Sequence, residues 1–157
     1  MQVKQLIVKD QYSDAEIAFI HGQDEFKLDF TGTLHHKTLD SLFIDQKFGS
    51  GQMKGDFEVR AALSKQTVPE VKGHLEGEGL VIPLPSGGKV GIEKIALAAD
   101  GSQVKADATA LSWNDFVWDP VKATIGFDRD KINVNISEAA LCGIDSSGSL
   151  AIAGDDL

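Results

Sequence analysis

The sequence predicts a mainly β chain: an antiparallel meander of about ten strands, forming a curved sheet or open groove, with one short helix. Three observations predict it. Apolar and polar residues alternate with period two over most of the chain. Turn-forming residues, sixteen Gly among them, recur at the spacing of short strands. Only the segment from Leu39 to Phe48 carries helical spacing.

The clearest element is the hairpin formed by Val121 to Asp128 and Lys131 to Ser137, joined by Arg129-Asp130. Pairing across that two-residue loop sets Phe127 opposite Ile132, Ile125 opposite Val134 and Ala123 opposite Ile136. Asp128 then meets Lys131 and Thr124 meets Asn135 on the other face. A slip by one residue would scatter the apolar set, so the register is strongly specified. A second hairpin is expected from Ala140–Asp145 and Ser149–Ile152 around Ser146-Ser147-Gly148, with Gly in the left-handed position. That register places Ile144 opposite Leu150 and Cys142 opposite Ile152, and makes Cys142 a buried, unreactive thiol.

The remaining elements follow in order. Val3–Lys9 and Ala15–His21 read as strands around Asp10–Asp14, and Glu25–Thr31 alternates without error. In the helix, Leu39, Leu42 and Phe43 share a face, Thr38 is the expected cap, and Gly49 marks the end. Gly49–Gly55 reads as a flexible turn into the strand Asp56–Leu63. A phosphate loop fails there, because no Lys-Ser/Thr pair and no helix follow. In Val71–Ile82 the inward positions include Gly73, Gly77 and Gly79, which indicates a bulge, a bend or a close backbone approach. Val90–Ala99 and Val104–Leu111 pair around Asp100-Gly101, with Val104, Ala106, Ala108 and Ala110 inward. Trp113, Phe116 and Trp118 crowd the next connection, where core or rim packing is favoured over a carbohydrate platform. Gly recurs in Thr-Gly-Thr-Leu, Lys-Gly-Asp-Phe, Lys-Gly-His-Leu and Ser-Gly-Ser-Leu, a weak supersecondary repeat.

Composition excludes several classes. The net charge of −9, with basic residues interleaved among acids, argues against a nucleic-acid partner. A single Cys makes no internal disulfide. No apolar run approaches the ~20 residues of a membrane helix. The histidines at 21, 35, 36 and 74 lack ligand spacing, and adjacent His35 and His36 are expected to point apart, so no metal site is expected. No nucleophile elbow and no carboxylate pair stand out, so no catalytic residue, no cofactor and no enzymatic activity are expected. The chain stops after Asp155-Asp156-Leu157 with no closing element. Residues 1–157 are therefore expected to be a single β-rich domain excised from a longer protein.

The run from Phe26 to Phe43, FKLDFTGTLHHKTLDSLF, followed by Gly51-Gln-Met-Lys-Gly55, resembles the AsmA-like family of bacterial envelope proteins. So does the close, Ile136-Ser-Glu-Ala-Ala-Leu-Cys-Gly-Ile144 followed by Ser-Gly-Ser-Leu150. The resemblance covers roughly Phe26 to Leu150. It implies a periplasmic β-rich segment, anchored to the inner membrane through a segment absent from this chain. It also implies a role in phospholipid transport or outer-membrane biogenesis along an apolar groove. The expected partners are phospholipid acyl chains and neighbouring segments of the parent chain. A one-sided meander with one short helix leaves its apolar face in need of cover, since soluble monomers rarely expose large apolar patches. Phe57, Val59, Ile125, Phe127, Ile132 and Val134 are the expected lipid-lining residues. The alternative is a structural or adhesive β-domain with a closed core.

Overall fold

The computed structural model describes residues 2–22, 25–42, 49–62, 67–84, 88–129 and 131–153. Ten antiparallel strands form one open sheet, each paired with its neighbours in sequence. They are β1 (Gln2–Lys9), β2 (Asp14–His21), β3 (Glu25–His35), β4 (Ser50–Ala62), β5 (Glu70–Pro83), β6 (Lys89–Gly101), β7 (Gln103–Trp113), β8 (Phe116–Phe127), β9 (Lys131–Leu141) and β10 (Ile144–Ala153). The helix α1 (His36–Leu42) follows β3 directly.

Alternation drives this arrangement. A period-two strand has one dry face and one wet face, and the antiparallel ladder keeps each set aligned across its neighbour. The β8–β9 register matches the sequence reading: Phe127 opposes Ile132, Ile125 opposes Val134 and Ala123 opposes Ile136. The Asp128 N–H donates to the Lys131 carbonyl at 3.0 Å and closes the hairpin.

The next hairpin corrects the sequence reading. Its turn is Cys142-Gly143, both with positive φ, and Ile144 opposes Leu141. Leu150 opposes Val134 and Ile152 opposes Ile132, so neither pairs as expected with Ile144 or Cys142. Ser146–Gly148 is a bulge within β10 and not the loop. The reason is ladder length: turning at Cys142-Gly143 lets the whole of β10 pair along β9 and keeps its apolar residues beside those of β9. Cys142 is consequently an exposed turn residue, not a buried hydrophobe.

Three further expectations change. The Gly-rich stretch is strand, not turn: β4 begins at Ser50, and Met53 lies between Leu34 on β3 and Gly77 on β5. The helix starts earlier than expected, and its expected second half, Phe43–Phe48, lies outside the described residues. Thr38 sits inside α1 and does not cap it. Its hydroxyl donates to Asp10 Oδ2 at 2.8 Å and lies 2.7 Å from Ser13 Oγ, tying α1 to the β1–β2 turn. The Asp10 carboxylate also accepts the Tyr12 and Ser13 backbone N–H groups. These bonds hold its pKa below the ordinary aspartate value, the Tyr12 bond contributing most.

The core is small and lies under α1. Val8, Ala15 and Leu34 are buried, with Ile17, Phe30, Leu39 and Met53 packed against them. The glycines of the weak repeat explain how the backbones approach here. A Cβ on Gly32, whose φ is +112°, would lie 2.2 Å from the Asp14 carbonyl oxygen. A Cβ on Gly73 would meet the Asp56 carbonyl oxygen at the same distance.

Candidate functional site: the apolar sheet face

Residues directly opposite across an antiparallel pair share a face, so the registers define cross-strand rows. One row runs Ile17–Phe30–Phe57–Gly73–Ala99–Val104–Ile125–Val134–Leu150. A second runs Leu75–Leu97–Ala106–Ala123–Ile136 from β5 to β9. Between them they make one continuous apolar face with glycine and alanine set among larger side chains. The inward placement of Val104, Ala106 and Ala108 holds, while Ala110 departs from it with a positive φ of 48°.

All six expected lining residues lie on this face, and all are half-buried. They form two patches. Ile125, Phe127, Ile132 and Val134 meet as a quartet across β8 and β9. Phe57 and Val59 lie on β4, separated from the quartet by β5, β6 and β7. Four strand spacings of about 4.8 Å put the two patches ~19 Å apart. Of the residues between them, chiefly Leu75, Leu97 and Ala106, the sequence reading places Ala106 inward but names none as lining the face. The signal was present in their alternation, but only a register across several strands places them on the path between the patches.

Among the described residues, little covers this face: helix α1 packs on β3 and β4, and each strand packs chiefly on its sequence neighbours. Among the described residues, the buried apolar side chains outside the α1 cluster are Val71, Val104, Ala108 and Ala139. The accessible surface of 10572 Å² shows the consequence. A compact monomer of this mass would expose roughly 7,700 Å².

The opposite face is a charged ladder. The row Thr33–Lys54–Glu76–Ala96–Asp107–Lys122–Glu138 alternates in sign around a single alanine. Lys122 pairs with Glu138 at 2.8 Å, and Lys27 bridges Asp29 at 2.8 Å and Glu58 at 3.5 Å. The hydrogen bond to Asp29 raises the Lys27 pKa, and that to Glu138 raises the Lys122 pKa. Such surface pairs add little stability each but keep this face wet and its register fixed. Open hollows of about 570 and 420 Å³ lie over Ala96 and Ala98, where short side chains leave a dip between charged walls. Those walls mix Lys54 and Lys94 with Glu76, Glu78 and Asp107, an arrangement that selects no one ligand charge.

The histidine pair also differs from expectation. The rings of His35 and His36 lie 4.4 Å apart, because the strand-to-helix junction falls between them and turns both the same way. His35 stacks on Tyr12, and burial lowers its pKa below the ordinary histidine value. The Gly51 N–H donates to His36 Nδ1 at 3.1 Å, which pins α1 to the start of β4. Among the described residues, no group of three His, Cys, Asp or Glu side chains is arranged to hold a metal. Likewise, no described helix is long and apolar enough to cross a membrane.

Comparison with protein-family models, with curated proteins and with solved structures yields no match.

Proposed function

We propose that this chain is a non-enzymatic lipid-handling module of a bacterial envelope protein of AsmA-like type, whose apolar sheet face accepts phospholipid acyl chains. In this reading it works in the periplasm, within a parent protein anchored to the inner membrane, and serves phospholipid transport or outer-membrane biogenesis. The supporting observation is the continuous apolar face that, among the described residues, α1 covers at one end only. An acyl chain laid on it would gain about 0.8 kcal/mol per methylene removed from water. A closed structural core would need a second layer against this face, and among the described residues only α1 packs there.

The test is acyl-chain photocrosslinking and thermal melting on the same proteins. Wild type is expected to crosslink at the β8–β9 quartet. Val134→Asp is expected to lose crosslinking, since an unpaired charge against hydrocarbon costs several kcal/mol. Retained melting with lost crosslinking supports the reading. A wild-type chain that crosslinks no lipid, with a variant that unfolds, would show this face to be ordinary packing surface and sink the proposal.

A further inference from the structure

The exposed large apolar side chains are not spread evenly. The β5–β6, β7–β8 and β9–β10 connections share one end of the sheet. Ile82, Trp113, Phe116, Val117 and Ile144 cluster there, with Trp113 51%, Phe116 54% and Ile144 70% exposed. The opposite end carries exposed Glu25, Glu70, Asp100, Asp128, Arg129 and Lys131, with Val68 as its exposed large hydrophobe among the described residues.

Registers join the aromatic end to the apolar face. One row runs Ile82–Val90–Trp113–Phe116, and the row behind it runs Leu80–Ile92–Leu111–Trp118–Leu141–Ile144. Phe116 and Trp118 rings lie 6.0 Å apart. A Cβ on Gly77 would meet Leu80 Cδ1 and Ile95 Cγ2, so Leu80 lies on the same side as the apolar row behind it. The tip is mildly acidic, with Lys89 exposed against exposed Asp115, Asp119 and Asp145 on the same end.

We propose that this aromatic end is the edge by which the chain docks on a lipid bilayer surface, so that acyl chains pass between the bilayer and the apolar face. Tryptophan and phenylalanine above an apolar row suit the headgroup boundary, where an apolar ring body meets hydrocarbon while polar groups stay wet. A mildly acidic tip on a chain of net charge −9 would be repelled by an anionic surface and so fits a zwitterionic one. The inference rests on the acyl-binding reading of the face and adds where lipid enters it.

The two tryptophans of the chain, Trp113 and Trp118, both belong to this edge, so intrinsic fluorescence reads it directly. Phosphatidylcholine vesicles are expected to shift the emission to the blue, and brominated acyl chains to quench it. The double variant Trp113→Ser/Phe116→Ser, read by vesicle flotation, is expected to bind at least about tenfold more weakly. Its melting temperature and its capture of a monomeric short-chain phospholipid should match wild type. Flotation of the double variant equal to wild type overturns the inference. So does a blue shift that follows protein concentration without lipid, which would assign the edge to contact between copies. Capture of monomeric lipid without vesicle binding sinks the edge and leaves the acyl-binding face standing. Vesicle binding without monomer capture keeps the edge as a lipid contact and sinks the acyl-binding face.

Discussion

Strands β1 to β4 carry α1 on their apolar side, with Val8, Ala15 and Leu34 buried beneath it and Ser13, Thr38 and Asp10 joined at its rim. Strands β5 to β10 repeat the same alternation with no described helix above them. The two regions share a pairing pattern and differ in cover. Among the described residues, cross-strand pairing and packing between strand neighbours hold the second region, whereas the first adds a packed and hydrogen-bonded layer. Binding surface is then expected where cover is missing, because an apolar residue already buried by the chain has nothing left to offer a ligand.

Glycine substitution should separate the tight β2–β3 approach from the open β10 bulge most sharply. Gly32→Ala would drive a Cβ into the Asp14 carbonyl at a positive φ, with an expected cost of roughly 2–4 kcal/mol in denaturant unfolding. Gly148→Ala, at the β10 bulge with open space around it, should change stability by less than about 0.5 kcal/mol. Equal losses would mean that the β10 bulge is as tight as the β2–β3 approach.

Leucine truncation comes next. Leu34 is 5% exposed under α1 and Leu150 is 60% exposed on the open face. Leu34→Ala should cost about 2–4 kcal/mol and Leu150→Ala below about 1 kcal/mol, both read from urea midpoints. A large Leu150 effect without lipid would show that something in the chain already covers the open region.

The smallest effect is acid sensitivity that begins at the covered end. His35 has a lowered pKa in the folded state, so the unfolded state binds its proton first and stability falls as pH drops below 6.5. Asp10 is also lowered, so its contribution is present above 3.8 and lost as pH falls through that value and below. Hydrogen-exchange protection of the α1 amides, corrected for intrinsic rates, should therefore weaken on acidification before that of β7–β9. Uniform weakening along the sheet would break the comparison.

Much of this molecule was legible in sequence for a local reason. Alternation is a period-two signal, and a two-residue loop fixes the register of its own hairpin, so the pairing of Ile125 with Val134 and Phe127 with Ile132 needed no distant information. The fold class followed from the same signal repeated along the chain. So did the common face of the six expected lining residues, though not the distance between their two patches.

What the tertiary structure decided lies where local options were close in energy. Both Gly143 and Gly148 could close a hairpin after Leu141, and the longer ladder along β9 selected the first, which put Cys142 in the turn. Thr38 has the chemistry of a cap, but Asp10 and Ser13, distant in sequence, drew it into a buried bond. The crowding of Trp113, Phe116 and Trp118 was visible in sequence, but their union with Ile82 and Ile144 at one exposed end appeared only once strands distant in sequence were stacked. Sequence determined which side of each strand is apolar, because that depends on neighbouring residues. Only the assembled sheet determined which part of that side remains open, because cover is a property of elements brought together from far along the chain.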